Sequence, residues 1–303
     1  MKKYAVVVVT YNRCKLLEEN IAALLQQTLE KFSIFIVDNA STDSTKSVVE
    51  SFKDSRLIYY NTGKNLGGAG GFAFGVKQAI INNYDYAWIM DDDSVPDKEA
   101  LKSLADKADS IDDKFSFFAS LVYWVDGQIF PMNTPSANWD KAIDRDFDLL
   151  RKKKLLRIND GSFVGCFINL SVAKSVGLPI SDFFIYGDDL EYTYRLAKIE
   201  KAYLDVDSII VHKAPSNVGA DVVTASDDYI GRFFFQYRNG MYIRRRYGGV
   251  HRFVFFTLKQ ILKILLYSKT SKLKRIAMVV KGFVFGFFYN PEIDYVLSGD
   301  KIL

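Results

Sequence analysis

Residues 88–96 read Trp88-Ile-Met-Asp91-Asp92-Asp93-Ser-Val-Pro96, an apolar run that ends abruptly in three neighbouring carboxylates. Adjacent like charges repel by about 1–4 kcal/mol per close pair, depending on the local dielectric. A chain that keeps three together must set something positive opposite them or leave them to water. The run leading into them, Tyr86–Met90, reads as a buried strand, and Tyr4–Val9, Ser33–Val37 and Arg56–Tyr60 are similar. Helix-like periodicity fills the intervals near 15–27, 43–53, 71–83 and 97–108. This alternation predicts an α/β fold with a mixed, mostly parallel sheet flanked by helices.

Each strand is followed by a polar or glycine-rich loop. Thr10-Tyr11-Asn12-Arg13 follows the first and Asp38-Asn-Ala-Ser-Thr-Asp43 the second. Asn65-Leu-Gly67-Gly68-Ala-Gly-Gly71 follows the third, and the aspartates follow the fourth. Ligands of open α/β sheets bind beyond the carboxyl ends of the strands, so four such loops predict one site on one sheet edge. If the backbone stays extended past the strand, Asp91 and Asp93 point one way and Asp92 the other. Two hard oxygen ligands on one side suit Mg2+ or Mn2+, with phosphate and water completing the shell. The alternative is a helix start, capped by Ser94 or Asp97 with Pro96 in the first turn.

The glycine-rich segment lets backbone amides crowd an anion at a helix start. It matches neither the dinucleotide fingerprint nor a Walker loop. Asp38 reads either as an acceptor for a nucleobase or ribose donor or as an Asx-turn. Arg13 suits a phosphate or a base edge.

Farther on, Phe117–Val125 and Gln128–Phe130 predict a hairpin around Asp126-Gly127. Ser162–Leu170 and Ala202–Val211 predict strands, and Asp188–Ile199 a helix with acids in its first turn. Asp188 and Asp189 follow the aromatic run Phe183-Phe-Ile-Tyr186, which would partly desolvate a carboxylate and suit it to general-base work. His212, at the end of an apolar strand, is either a satisfied core residue or an imidazole ligand for the same cation. The other histidine, His251, reads as interfacial.

At 303 residues, 49% of them hydrophobic, the chain has the composition of a folded globular protein. Its two cysteines, Cys14 and Cys166, fit no disulfide framework and point to a reducing compartment. The apolar run at the N-terminus is too short for a signal peptide, and no apolar stretch reaches the 18 or so residues of a membrane span. The net charge of +4 is unevenly spread: residues 229–303 hold 14 Lys and Arg against three acids, leaving the rest about −7. That asymmetry points to an anionic partner for the C-terminal part. From about 226, aromatic and basic residues recur at helical spacing, which places a boundary near 225. No nucleic-acid module appears, so a membrane surface is the expected partner, with a helical cap or a homo-oligomer interface as alternatives.

Taken together, these residues resemble family-2 glycosyltransferases, GT-A-fold enzymes that transfer a sugar from a nucleotide donor. The resemblance covers about residues 4–215, and Asn65–Phe72, Asp188-Asp189-Leu-Glu191 and His212 look most like the galactofuranosyltransferase branch. It implies a catalytic domain over 1–225 and a helical basic region over 226–303. It implies that Thr10, Tyr11, Asn12, Arg13, Asp38, Asn65, Gly67, Gly68, Asp91 and Asp92 bind the nucleotide sugar, expected to be UDP-linked galactofuranose. By the same resemblance, Asp91, Asp93 and His212 hold Mn2+ or Mg2+. Asp189 is the base that activates an acceptor hydroxyl by inverting displacement, and Asp188 aligns the acceptor. Phe163, Tyr186 and Glu191 are acceptor-side candidates. The acceptor would be a glycan or lipid-linked glycan, handled on the cytoplasmic face of the cell membrane during polysaccharide synthesis. A dTDP-rhamnose-dependent rhamnosyltransferase is the neighbouring alternative. A non-catalytic membrane partner of an assembly complex is the alternative outside enzymes; a nucleotidyltransferase lacks its early phosphate-activating loop.

Overall fold

The computed structural model describes residues 2–111, 114–138 and 143–297. The first seven elements alternate as expected: β1 (Tyr4–Thr10), α1 (Cys14–Leu25), β2 (Ser33–Asp38), α2 (Thr45–Ser51), β3 (Leu57–Asn61), α3 (Gly67–Ile81) and β4 (Tyr86–Asp91). Next come β5 (Ser94–Pro96), α4 (Ala100–Ser110), β6 (Phe115–Trp124), α5 (Ile143–Lys153), β7 (Leu155–Ile158), β8 (Cys166–Asn169) and α6 (Leu170–Val176). The chain closes with α7 (Asp188–Ala197), β9 (Lys201–His212), α8 (Phe233–Tyr247), α9 (Val250–Tyr267) and α10 (Lys272–Phe288).

All nine strands form one sheet in the order β3-β2-β1-β4-β8-β6-β9-β5, with β7 also on β9. β1 to β4 are parallel, and β8 runs antiparallel between β4 and β6. Alternate residues of β1 feed the two faces. Ala5, Val7 and Val9 pack with α3, whereas Val6 and Val8 pack with Leu17, Ile21 and Leu24 of α1 and Leu101 of α4. Burying each such aliphatic side chain contributes roughly 1.5–3 kcal/mol.

α3 starts four residues before the expected 71, inside the glycine run. A Cβ at Gly71 would lie 2.5 Å from Val9 Cγ1, and one at Gly75 only 2.2 Å from Val7 Cγ1. The glycines therefore let this helix lie directly on β1, which outweighs their low helix propensity. The strand expected over 162–170 shortens to β8, because Gly165 turns at φ +81 and Phe163 and Val164 leave the ladder. The expected hairpin keeps its turn, Gly127 N–H donating to the Trp124 carbonyl at 2.9 Å, but its return is a single bridge, Tyr123 to Ile129.

β5 gave no sequence signal, being three residues long and ending in Pro96. A proline is tolerated there because β5 is an edge strand. β5 pairs antiparallel with the end of β9, setting Ser94 opposite His212.

The C-terminal helices pack against the α/β body through α8. Asn239, fully buried, donates from Nδ2 to the carbonyls of Phe183, Ile185 and Tyr186 at 2.9–3.1 Å. α10 lies on α8 through glycines: a Cβ at Gly282 would come within 2.4 Å of the Phe234 carbonyl oxygen, and one at Gly286 within 2.7 Å of that of Arg238.

Candidate active site

Arg13 stands opposite the three carboxylates on one side. One guanidinium nitrogen donates to Asp93 Oδ2 at 2.7 Å and to Asp92 Oδ1 at 3.1 Å, while Thr10 Oγ1 donates to Asp92 Oδ2 at 2.8 Å. The expected alternation therefore fails: the chain turns at Asp92 and Asp93, and both side chains reach the same guanidinium. Arg13, assigned from sequence to a phosphate or base edge, is engaged by this pair instead. Thr10 is buried behind Asp92 as a positioning residue.

His212 stands on the other side. Its Nδ1 lies 2.9 Å from Asn133 Oδ1, and a ring that donates from Nδ1 presents an unprotonated Nε2. That Nε2 lies 3.1 Å from Asp93 Oδ1, a buried oxygen with no hydrogen bond. Two lone-pair acceptors facing each other at that distance call for a proton or a cation. Cis ligands of an octahedral ion bound at about 2.1 Å sit about 3 Å apart, so this pair fits two positions of such a shell. Charge points the same way, since three carboxylates face one guanidinium and one imidazole. Burial pushes the Asp91 carboxyl up to about 8, with Asp93 adding to the shift. Burial also pushes Asp92 up to about 6, against the pull of Arg13. Burial opposes ionisation of Asp93 too, yet His212, when its ring carries the proton that this pair calls for, and Arg13 outweigh it and hold the carboxyl below the ordinary range. Asp91 does not complete the expected three-residue ligand set: no three His, Cys, Asp or Glu among the described residues converge as a metal cluster.

The first two loops are joined to each other. Asn12, at φ +55, accepts from Thr42 N–H at 2.7 Å and donates its own N–H to Ser41 Oγ at 2.8 Å. Tyr11 is 43% exposed at the rim. Asp38 is buried, accepting from Ser41 N–H, three residues on, at 2.9 Å and from the Tyr59 hydroxyl at 2.5 Å, so in this state it braces its own loop. In the third loop, Asn65 Oδ1 accepts from Gly67 N–H at 2.8 Å, and Asn39 Nδ2 donates to the Gly67 carbonyl at 3.0 Å. Gly67 adopts φ +71, and a Cβ there would lie 2.1 Å from the Phe184 carbonyl oxygen. Gly68 faces open space.

Phe184 links the glycine loop to the acid pair, since its carbonyl also accepts from Ala69 N–H at 3.2 Å. Asp189 acts electrostatically on Cys166, which pairs with Ile89 two residues before Asp91. Asp189 therefore lies near β8, the strand next to β4. Burial pushes Asp189 up to about 6; burial and then the charge of Asp189 push Asp188 up to about 8. A buried pair of this kind holds about one proton near neutrality.

Two acceptor-side expectations do not hold. Glu191 is fully buried, binding the Arg195 guanidinium at 2.8 Å and accepting from the Tyr247 hydroxyl at 2.8 Å. Phe163 is 3% exposed and packs edge-on against Phe72 and Tyr192, in the core. Tyr186 is half-buried at φ +68, its carbonyl held by Asn239. Asn133 and Asn239 escaped sequence reading, because each acts through partners more than 50 residues away with no local pattern.

A nine-stranded mixed sheet whose strand ends gather an acidic cluster, a glycine loop and a second acid pair defines the GT-A class of nucleotide-sugar transferases. Residues 5–171 match the Glycosyl transferase family 2 profile, and the chain belongs to that family of glycosyltransferases. It is 27% identical to galactofuranosyltransferase GlfT1 of Mycobacterium tuberculosis (strain H37Rv) over 260 residues, 78% of this chain and 80% of that one. It is 34% identical to the dTDP-rhamnosyl transferase RfbG of Shigella flexneri over 101 residues, 32% of this chain and 35% of that one. Among solved structures, the mannosyltransferase PcManGT of Pyrobaculum calidifontis, in complex with GDP-Man and Mn2+, shares the fold. The TM-score is 0.57 at 15% identity, covering 94% of this chain and 87% of that one.

Proposed function

We propose that this glycosyltransferase moves galactofuranose from UDP-galactofuranose to a hydroxyl of a cell-surface glycan or its lipid-linked precursor, with inversion. The likeness to GlfT1 over most of both chains supports the donor. The single observation that carries the mechanism is the orphaned Asp93 Oδ1 facing His212 Nε2 at 3.1 Å. Asp93 and His212 would hold Mn2+ or Mg2+, with Asp91 alongside and donor oxygens and water completing the shell. Such an ion, when bound, supplies positive charge to the departing nucleoside diphosphate. Arg13 keeps Asp92 and Asp93 in register, and Gly68, facing open space, leaves room for the diphosphate at the start of α3.

Asp189 takes the proton of the acceptor hydroxyl as its oxygen attacks the anomeric carbon. A base raised to about 6 is ionised at neutral pH yet basic enough to assist. Asp188, protonated near neutrality, can donate a hydrogen bond that orients the acceptor. One direct displacement gives inversion.

The test follows UDP release from UDP-galactofuranose with Mn2+ present and after chelation. Asp189→Asn should cut turnover by about 10²–10⁴-fold while Mn2+-dependent UDP binding persists. Unchanged turnover would remove Asp189 as base, and UDP binding indifferent to Mn2+ would remove the metal site. The stretch similar to RfbG supports a second reading, a dTDP-rhamnose donor; release of dTDP in place of UDP would decide for it.

A further inference from the structure

The last two helices carry a charge pattern that the catalytic reading does not use. Residues 250–288 contain eight Lys and Arg and no acid. One of them, Arg275, is buried and donates to the carbonyls of Val222 and Ala225. The other seven are at least partly exposed.

Both helices are apolar on two sides. The inner face of α9 is buried through Thr257 and Ile264, and that of α10 through Val279, Gly282 and Gly286. The outer face should then be polar, as on an ordinary surface helix. Instead, Phe255, Leu258, Leu262 and Leu266 recur at helical spacing on α9, 56–70% exposed. On α10, Leu273, Val280, Val284 and Phe288 do the same, and Leu273 and Phe288 are 84% and 85% exposed. Isolated exposed apolar residues are ordinary, but two adjacent helices with continuous outward stripes mark a surface that something covers.

We propose that the α9–α10 hairpin lies on an anionic lipid bilayer, with its apolar stripes in the interface and its lysines and arginines among the headgroup phosphates. Charge decides the occupant. A second copy laid face to face would bring seven cations against seven with no acid between them. Anionic headgroups complement that charge, and the acyl region accepts the Phe, Leu and Val stripes. A cleft of about 700 Å3 at the corner of α8 and α9 adds a seat for a phosphate, lined by Arg244, His251 and Arg252 beside Phe253 and Phe256. No helix among the described residues is long and apolar enough to cross a membrane, and this surface needs none. Through Asn239, α8 ties the hairpin to the loop that precedes Asp188.

The experiment is flotation of the full chain with vesicles, independent of any sugar donor. One set is phosphatidylcholine alone; the other contains about one-third phosphatidylglycerol, and binding to it should be at least about tenfold tighter. Leu262→Gln combined with Leu266→Gln should lose about tenfold on the anionic vesicles, and Lys259→Glu combined with Lys263→Glu at least as much. All four positions lie outside the buried stripe, so the melting temperature should hold. Added salt should weaken binding without abolishing it, because the apolar term is not screened. Equal binding to both vesicle types, no binding to either, or leucine variants that bind like the parent chain would each overturn the proposal. So would a dimer in light scattering that the leucine variant splits, since the face would then belong to a second copy.

Discussion

Asp188→Asn should make the protein more stable, by an amount that grows with pH. Asp188 is 9% exposed, and its carboxyl is pushed up to about 8, first by burial and then by Asp189. Its unfolded value is near 3.9. A carboxyl raised on folding opposes the native state once pH exceeds the unfolded value, because the folded chain must keep a proton that the unfolded chain releases. The penalty works out at about 1–2 kcal/mol at pH 5 and about 4 kcal/mol at pH 7, levelling off above pH 8. Asparagine mimics the protonated acid and removes the penalty. These figures are upper bounds, since the asparagine amide must also find a partner, so a gain of about 2–4 kcal/mol at pH 7 is expected. Thermal melts of parent and variant from pH 5 to pH 8.5 read this directly. Because Asp188 is already protonated where Asp189 titrates, the pH at which turnover half-falls on the acid side should stay near about 6 in the variant. A melting shift equal at pH 5 and pH 8, or a loss of stability, would refute the burial argument.

Three further substitutions separate the loop from the core. Gly67→Ala must place a Cβ against the Phe184 carbonyl at φ +71, so it should cost about 2–3 kcal/mol in chemical denaturation and impair turnover. Gly68→Ala, facing open space, is its control and should leave stability nearly unchanged. Glu191→Ala leaves the Arg195 guanidinium buried without its carboxylate and should cost about 3–5 kcal/mol, also in chemical denaturation. A variant as stable as the parent would restore Glu191 to the list of acceptor-side residues.

The first half of the fold was legible because its signals are local. Four β-rich runs, each followed by polar or glycine residues, specify parallel strands and the edge where their loops gather. The glycine run was misjudged as a loop that precedes a helix, since helix propensity is a local quantity whereas the close approach to Val7 and Val9 is a tertiary one. β5 and β7 are three and four residues long, too short for period-two alternation to register. Asp93, Asp189 and His212 announce themselves by charge, and the structure sets Asp93 and His212 3.1 Å apart. Asn133 and Asn239, which work by a single amide across long sequence separations, give no such signal. Glu191 was misplaced because nearness in sequence to the acid pair says nothing about the direction of a helical side chain, and Phe163 because its packing against Phe72 and Tyr192 is a tertiary contact.

The three-residue strand that sequence could not show is what brings Asp93 and His212 together. β4 alone would deliver three repelling carboxylates to the sheet edge, with Arg13 from the next strand's loop to offset one of them. By pairing antiparallel with β9, β5 fixes the far end of that strand so that His212, 119 residues after Asp93, faces it at 3.1 Å. Asn133 turns the ring so that its lone pair points at the orphaned carboxylate oxygen. Arg13 thus offsets part of the repulsion within the protein, and on the proposed reading Asp93 and His212 leave a negative remainder for a cation to fill. A site that the protein had neutralised by itself would have no affinity left for the metal and diphosphate of a nucleotide sugar.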